Sequence, residues 1–222
     1  MLGEKGKSKM QGKLITIEGL DGAGKTTVIK NVLKRLANHS ELEFVYTREP
    51  GGNQIAEQIR EVILNQKNSN MDAVTETLLY AAARRQHLIE DIKPMLEQGK
   101  VVICDRFVDS SIAYQGVGRG VGYDKVKQIN DLITDEIKSD LTLYFEIEPE
   151  IGLKRISDHR IDEVNRLDKE EVKFYKKVAQ GYRQLIKNDP ERFEIINADQ
   201  SISDTEDDVI VALLSYLLGG DD

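Results

Sequence analysis

The 222-residue chain has few cysteines, no excess of positive charge and no long apolar run, and each absence excludes a class of protein. A single cysteine, Cys104, cannot form an intrachain disulfide framework and is typical of a reducing compartment. It follows the apolar residues 101–103, which predicts an inert position in the core. The net charge of −8 argues against non-specific binding of nucleic acid, which requires an excess of Lys and Arg.

Long apolar segments are missing as well. No stretch approaches the ~20 apolar residues that a membrane-spanning helix needs, and residues 1–11 lack the apolar segment of a signal peptide. We therefore expect a soluble, cytoplasmic protein without a membrane partner. Residues 1–11, which are rich in Lys, Gly and Ser, are predicted to be a disordered extension, and residues 12–222 a single domain.

The most informative stretch is Gly19-Leu20-Asp21-Gly22-Ala23-Gly24-Lys25-Thr26, which fits Gly-x4-Gly-Lys-Ser/Thr and follows the apolar residues 14–17. Glycines permit backbone conformations that direct successive N–H groups at phosphate oxygens. Lys25 supplies a point charge, and the Thr26 hydroxyl can ligate Mg²⁺. The following helix begins with a partial positive charge that also favours an anion. This stretch predicts a nucleoside triphosphate site.

The hydrophobic pattern predicts five strands that alternate with helices, and hence an α/β fold in which a parallel five-stranded sheet lies between two helical layers, as in P-loop NTPases. The predicted strands are 13–18, 43–47, 101–104, 141–147 and 193–196. The predicted helices are 24–38, 53–65, 72–98 with an interruption near Pro94, 109–116, 123–137, one opening at Pro149, 168–187 and 203–218.

Apolar spacing also predicts which helix faces are buried. In helix 53–65 we expect Ile55, Ile59, Val62 and Ile63 to face inward. In helix 72–98 the inward positions begin with Val74, Leu78 and Ala81 and continue to Leu96. Residues 203–206 fit a capping box, so the last helix is predicted to start near Ser203.

Charged residues follow two of the predicted strands, at the sheet edge where ligands bind in open α/β folds. Arg48 lies in the turn-forming segment 47–52, and on position alone it could equally be an exposed loop cation. Asp105, after the third strand, is placed to organise Mg²⁺ or to pair structurally with Arg106. Tyr80 and Arg84 share one helix face, where a half-buried Tyr beside a solvated Arg is the simpler reading.

Residues 154–166 are strongly charged and contain few apolar anchors. This pattern favours a mobile, solvated segment. The alternative is a basic lid, at about 152–168, that closes over phosphates and excludes water.

The triphosphate loop does not specify a reaction. A switch GTPase should carry Asn-Lys-x-Asp, which the chain lacks, and a motor ATPase usually needs a longer chain. The arginines at strand ends favour a small kinase that binds a second, anionic substrate.

Six motifs in this order resemble those of the bacterial thymidylate kinase family, over about residues 13–200. They are residues 19–27, 47–52, 80–84, 105–111, 113–116 and 165–168. The resemblance implies Mg²⁺-dependent transfer of the ATP γ-phosphoryl group to dTMP, giving dTDP. It also implies a homodimer.

Residue roles are implied by the same resemblance. ATP would be held by Gly19, Leu20, Asp21, Gly22, Ala23, Gly24, Lys25, Thr26, Thr27 and the loop at Ala198, and Mg²⁺ by Thr26 and Asp105. The dTMP site would comprise Asp21, Arg48 and Arg106 around the phosphate, Tyr80 stacked on thymine, Arg84 on a thymine carbonyl, and Ser111, Tyr114 and Gln115 along the base and sugar.

Lys25, Asp21 and Arg106 would act in catalysis together with a lid arginine. Some family members carry an arginine inside the phosphate loop, where this chain has Gly22 and Ala23. The resemblance therefore places the catalytic arginine in the lid, where Arg155, Arg160 and Arg166 are candidates. Two alternatives stay open: a kinase for another nucleoside monophosphate, and an ATP-responsive binding protein without transferase activity.

Overall fold

A five-stranded parallel sheet in the order β2-β3-β1-β4-β5 forms the centre of the fold. The computed structural model describes residues 12–37, 42–159 and 172–219. The strands are β1 (Lys13–Gly19), β2 (Phe44–Arg48), β3 (Val101–Asp105), β4 (Leu141–Glu146) and β5 (Phe193–Asn197). Their apolar runs are covered by helices on both faces, as is usual for a parallel sheet. The predicted fold class is confirmed.

Helices connect the strands. They are α1 (Lys25–Leu36), α2 (Gln54–Leu64), α3 (Ala73–His87), α4 (Lys93–Glu97), α5 (Val108–Ser111), α6 (Tyr123–Ile133), α7 (Pro149–His159), α8 (Val172–Asn188) and α9 (Ile202–Leu218). Two π-helical segments, Leu88–Ile92 and Ile112–Gly118, continue α3 and α5. Within the part of the chain that is described, no helix combines the length and apolarity that a membrane crossing requires.

Parallel pairing brings the carboxyl ends of the strands to one edge. Asp105 at the end of β3 lies opposite Ile17 of β1 on one side and Arg48 of β2 on the other. Gly19 ends β1 and begins the phosphate loop. The topology thus gathers the loop, Arg48 and Asp105 at the same edge.

The two faces of β1 differ in polarity because successive side chains alternate between them. Ile15 and Ile17 pack in the large core with α1 and α9. Leu14 packs with the Leu88–Ile92 segment on the other face. Thr16 and Glu18 are also fully buried on that second face, so polar groups lie in the interior beneath the strand ends. Cys104 is fully buried, as predicted, and its thiol donates to the Arg106 carbonyl.

The predicted inner faces of α2 and α3 are wrong at four positions. Ile55, Val62, Val74 and Leu78 are about half exposed, at 49%, 47%, 48% and 52%. Ile63 and Ala81 are buried as predicted, and the other buried positions are Ala56 in α2 and Glu76, Thr77, Ala83, Arg84 and His87 in α3. Periodicity detected an apolar stripe but could not tell which side of each helix is buried.

Two predicted boundaries also differ. The helix predicted at 123–137 ends at Ile133, because Asp135 and Glu136 adopt positive φ angles of 48° and 67° that no α-helix continues. The start of the predicted mobile segment 154–166 is helical, since α7 extends to His159 and is anchored by buried Gly152 and Ile156. The rest of the predicted lid, with Arg160 and Arg166, and residues 1–11 lie outside the described residues.

The last helix is capped by Ser201, two residues before the predicted Ser203. The Ser201 Oγ accepts the Asp204 N–H at 3.1 Å and donates to the Asp204 carboxylate at 2.7 Å. Ser203 lies exposed in the first turn.

We expect Ser201→Ala to lower the free energy of unfolding by about 1 kcal/mol, because it leaves an N-terminal N–H of α9 without its acceptor. Ser203→Ala is the matched control and should change stability by less than about 0.5 kcal/mol. Urea denaturation of both variants measures the difference. Equal effects of the two substitutions would contradict the assignment of the cap.

Candidate active site

The phosphate loop joins β1 to α1 and depends on glycine. Gly22 and Gly24 have φ angles of 80° and 79°, in the left-handed region that side chains disfavour. A Cβ on Gly22 would overlap the backbone of Gly152 in α7. The close approach of α7 therefore leaves no room for a side chain at position 22, which accounts physically for the absence of an arginine there.

Lys25 is folded into the loop. It is 7% exposed, and its ammonium donates to the carbonyls of Gly19 and Leu20 at 3.1 and 2.8 Å. Burial and the positive charge of Arg106 lower the pKa of Lys25 to about 8, although the nearby carboxylates of Asp21 and Asp105 oppose the shift.

Arg106 projects from the end of β3 through a strained backbone, with a φ of 70°. Its guanidinium donates to Asp21 Oδ1 at 2.7 Å and to Ser110 Oγ at 3.0 Å, and it lies 4.9 Å from the centre of the Tyr114 ring. The Tyr114 hydroxyl donates to the other Asp21 oxygen at 2.9 Å. The Arg106 guanidinium thus joins the end of β3, the phosphate loop and the Ile112–Gly118 segment.

Asp21 is charged at neutral pH because of these contacts. Burial alone would raise its pKa, but the positive charges of Arg106 and Lys25 and the hydrogen bonds from Tyr114 and Arg106 lower it to about 2. The loop therefore carries a fixed negative charge among groups suited to bind phosphates.

Thr26 and Asp105 form a second polar pair in the cleft. The Thr26 hydroxyl donates to Asp105 Oδ2 at 2.7 Å, and the Tyr46 hydroxyl donates to the same oxygen at 3.2 Å. Burial and the charge of Asp105 raise the pKa of Tyr46, which keeps that hydroxyl a donor. Hydroxyl and carboxylate oxygens are the ligands that Mg²⁺ prefers, so this pair could hold a magnesium ion.

Arg84 of α3 is 2% exposed and connects four other segments. Its Nε donates to Glu49 at 2.6 Å and its Nη2 to the Phe107 carbonyl at 2.9 Å. Nη1 donates to Ser111 at 3.0 Å and to Asn130 at 2.5 Å. Arg85, the next residue, instead reaches outward to Asp135 at 2.7 Å. Only Arg84 of this pair faces the cleft, as expected for adjacent helix positions.

Arg48 lies at the rim of the site. Its guanidinium donates to Glu57 at 2.8 Å and to the Pro50 carbonyl at 3.1 Å, and its side chain is 40% exposed. Arg60 of α2 donates to the same Pro50 carbonyl at 2.9 Å. Burial and the neighbouring charge of Arg48 lower the pKa of Arg60. Two arginines therefore share this corner of the cleft.

Sequence reasoning missed Glu18, a carboxylate buried directly below the phosphate loop. It accepts hydrogen bonds from the Phe107 and Ser110 amides and from the Ser110 and Tyr182 hydroxyls, at 2.6 to 3.2 Å. Burial and the negative charge of Asp109 raise its pKa to about 7. A single acid within an apolar strand was the signal that could have revealed it.

Most of these groups line one cleft of about 760 Å³, and Glu18 and Tyr46 are not among its lining residues. Of the predicted site residues, those that line it are Asp21, Gly22, Gly24, Lys25, Thr26, Thr27, Arg48, Tyr80, Arg84, Asp105, Arg106, Ser111, Tyr114, Gln115 and Arg155. Gly19, Leu20, Ala23 and Ala198 are buried behind its surface. Lining residues that the sequence did not suggest are Glu49, Pro50, Arg60, Leu64, Ser110, Ile156, Gln200, Ser201 and Ile202.

Arg155 lies at the end of the cleft formed by the loop after β5. Its guanidinium donates to the Ala198 carbonyl at 2.8 Å and lies 3.5 Å from Asp199. This contact links α7 to the loop in which the sequence predicted adenine binding.

Comparison with known proteins agrees with this geometry. A family model described as thymidylate kinase matches residues 17–209. The chain is 50% identical over 208 residues to a thymidylate kinase of Ligilactobacillus salivarius, which covers 94% of this chain and all of that protein. It is 53% identical over 199 residues to a thymidylate kinase of Clostridium novyi, covering 90% of this chain and 97% of that protein.

A solved structure shows the same fold. The crystal structure of thymidylate kinase from Ehrlichia chaffeensis superposes with a TM-score of 0.71 at 32% identity, covering 91% of this chain and 98% of that one. With the family model spanning most of the sequence and relatives at about half identity along nearly its whole length, the chain belongs to the thymidylate kinase family.

Proposed function

We propose that the protein transfers the γ-phosphoryl group of ATP to dTMP, giving ADP and dTDP. The observation that carries the proposal is the cleft itself, which continues from the phosphate loop to a second set of cationic and aromatic groups, Arg48, Arg106, Tyr80 and Arg84. Binding of a triphosphate alone would not require this second set. Relatives that share about half of the sequence are named thymidylate kinases.

The donor end is the phosphate loop and the start of α1. The N–H groups of residues 19–27 and the helix N-terminus would hold the ATP phosphates. The Lys25 ammonium, which now donates to two loop carbonyls, would turn to the β- and γ-phosphates. The loop at Ala198 would contact the adenine.

At the acceptor end, Arg48 and Arg106 would surround the dTMP phosphate. Two guanidiniums neutralise a dianion and align its oxygen with the γ-phosphorus, and positioning with charge stabilisation supplies most of the rate in such reactions. Asp21 holds Arg106 through the 2.7 Å ion pair. Arg48 would exchange its exposed partner Glu57 for the phosphate.

The base would lie between Tyr80 and the buried groups behind it. A guanidinium has five N–H donors, and four hydrogen bonds of Arg84 are formed to other residues described in the structure. One Nη2 hydrogen is left for a thymine carbonyl. Ser111, Tyr114 and Gln115 line the same part of the cleft and would contact base and sugar.

We assign the magnesium site to Thr26 and Asp105, whose oxygens are already within hydrogen-bonding distance of each other. A magnesium ion held there would supply positive charge that offsets the negative charge of the phosphates. The Tyr46 hydroxyl holds the Asp105 oxygen in place if Thr26 turns to the metal.

The catalytic arginine is proposed to come from the segment after α7. Arg155 and Arg160 are both candidates, with Arg166 as a third. The bond of Arg155 to the Ala198 carbonyl supports a position near the nucleoside of ATP, which favours Arg160 or Arg166 for the transferred phosphoryl group. Both of these lie outside the described residues.

We further propose a homodimer. Four apolar residues of α2 and α3 are half exposed, namely Ile55, Val62, Val74 and Leu78, and exposed apolar residues on neighbouring elements are typical of protein interfaces. The two helices also pack against each other. A second copy of the chain would cover this surface.

An acceptor screen tests the reaction. With saturating ATP and Mg²⁺, we expect kcat/KM for dTMP to exceed that for dCMP or AMP by about tenfold or more, since one discriminating hydrogen bond corresponds to about 1.4 kcal/mol. Faster turnover of dCMP or AMP would favour a kinase for another nucleotide. Slow ATP hydrolysis that no acceptor accelerates would favour an ATP-responsive binding protein.

Arg106→Ala should lower kcat/KM for dTMP by about 100-fold or more, because a charged donor to the acceptor phosphate is lost, while ATP affinity stays nearly unchanged. Arg48→Ala should also lower kcat/KM for dTMP. Arg85→Ala, which removes an outward guanidinium, is the control and should leave both quantities unaltered. Calorimetric titration of ATP separates the two sites, and a collapse of ATP binding in Arg106→Ala would contradict the acceptor assignment.

Leu78→Glu should shift the sedimentation coefficient from dimer to monomer, since a buried, unpaired charge at an interface is costly. Val211→Glu is the matched control, because Val211 is 64% exposed on α9. A monomeric wild-type protein, or equal effects of both substitutions, would refute the proposed interface.

A further inference from the structure

Behind the base end of the cleft, Glu76 of α3 is a carboxylate with 1% of its surface exposed. It does not line the cleft itself. Its Oε1 accepts a hydrogen bond from Gln115 Nε2 at 2.9 Å and another from Arg119 Nε at 3.2 Å. Glu76 thus holds a side chain that lines the cleft, and it acts on the cleft through that side chain.

The hydrogen bond decides which way the Gln115 amide faces. An amide carries a donor NH₂ and an acceptor oxygen, whereas an ionised carboxylate only accepts. Turning the amide over would set its oxygen against Glu76 Oε1 and lose a charge-assisted hydrogen bond in a buried position. Glu76 therefore keeps Nε2 on its own side.

The Gln115 Oε1 is consequently the amide atom that can accept a hydrogen bond from a ligand. Across residues 12–37, 42–159 and 172–219, the Gln115 side chain forms one hydrogen bond, the one from Nε2. Gln115 is 2% exposed and lines the cleft. Its Oε1 is therefore an acceptor without a described protein partner in a residue that lines the cleft, where a ligand can supply the donor.

Pyrimidine bases differ at the atom that such an acceptor would meet. Thymine and uracil carry an N3–H donor between two carbonyls, whereas cytosine has a lone pair on N3 beside an amino group. A fixed amide oxygen accepts from N3–H and repels an N3 lone pair. An amide free to turn over could serve either base, because its NH₂ would donate to the cytosine N3.

We propose that Glu76 is a specificity-determining positioning residue: by holding Gln115 Nε2 it fixes Oε1 toward the base, so that the site accepts a pyrimidine with an N3–H and rejects one with an N3 lone pair. The inference rests on the proposed function, in which Gln115 faces the base. Arg119 balances the buried charge of Glu76 and is itself held 4.7 Å from the centre of the Phe174 ring.

The test is Glu76→Gln, which keeps the shape of the side chain but replaces a charged acceptor by a neutral one, so that the hydrogen bond that holds the Gln115 amide weakens and the amide can turn over. We expect the ratio of kcat/KM for dTMP to that for dCMP to fall about tenfold, the worth of one discriminating hydrogen bond. Both rates come from the same preparation, so that any loss of folded enzyme cancels in the ratio.

The ratio of dTMP to dUMP is the internal control. Both bases carry N3–H and differ only in the thymine methyl group, so this ratio should stay unchanged in Glu76→Gln. A substitution that merely loosened the pocket would change both ratios, and that outcome would overturn the proposal.

A double-mutant cycle tests whether the effect passes through Gln115. Gln115→Leu alone should lower the dTMP to dCMP ratio, because the acceptor is gone. Adding Glu76→Gln to that variant should lower it no further. A further fall of similar size would show that Glu76 acts by another route.

Glu76→Asp keeps the charge that faces Arg119 but withdraws the oxygen by about one bond length, and should lower the same ratio to a smaller extent. If Glu76→Gln does not fold, Glu76→Asp takes its place in the experiment. An unchanged dTMP to dCMP ratio in folded Glu76→Asp would then overturn the inference. Failure of the proposed function is a separate result, because the wild-type protein would then not prefer dTMP.

Discussion

The arrangement of the base end depends on the buried guanidinium of Arg84. A cation taken out of water must be surrounded by acceptors, and here they come from four separate segments: Glu49 after β2, the Phe107 carbonyl after β3, Ser111 in α5 and Asn130 in α6. The need to satisfy one charge therefore fixes how these segments meet. Removing Arg84 would leave Glu49 buried without its principal partner. Arg84 therefore serves both base recognition and the stability of the fold.

A second hydrogen-bond network, around Glu18, holds together the segments at the phosphate-binding end of the cleft. Glu18 holds the backbone and hydroxyl of Ser110, Ser110 accepts a hydrogen bond from Arg106, and Arg106 pairs with Asp21. The adjacent serines 110 and 111 thus join the two networks. An acidic chain can in this way present a local site for anions, because its cationic groups at the cleft are positioned by buried partners and not by an overall positive charge.

The structure confirmed the sequence predictions that rest on neighbouring residues. It differed from those that depend on how distant parts of the chain pack together. The phosphate loop, the parallel strands and the buried Cys104 follow from local spacing and apolar runs. The predicted inner faces of α2 and α3 were wrong at Ile55, Val62, Val74 and Leu78, although Ile63 and Ala81 are buried as predicted, because the packing of the two helices buries Ala56, Thr77 and Ala83 instead. Ser201 caps α9 although Ser203 also precedes an acid by three residues, because the helix begins at Ile202 and the Ser201 side chain accepts the Asp204 N–H.

By itself the sequence determined the phosphate loop, the α/β alternation and the charged strand ends at Arg48, Asp105 and Arg106, because each is a pattern of residues that are close together in the chain. Only the tertiary structure decided which charges are paired and which groups are left to face the cleft. Glu18, Glu76 and Asn130 are ordinary polar residues in the sequence, and they acquire a role because residues up to 164 positions away are brought into hydrogen-bonding distance. Such contacts follow from the packing of the sheet and its helices, which no local pattern encodes.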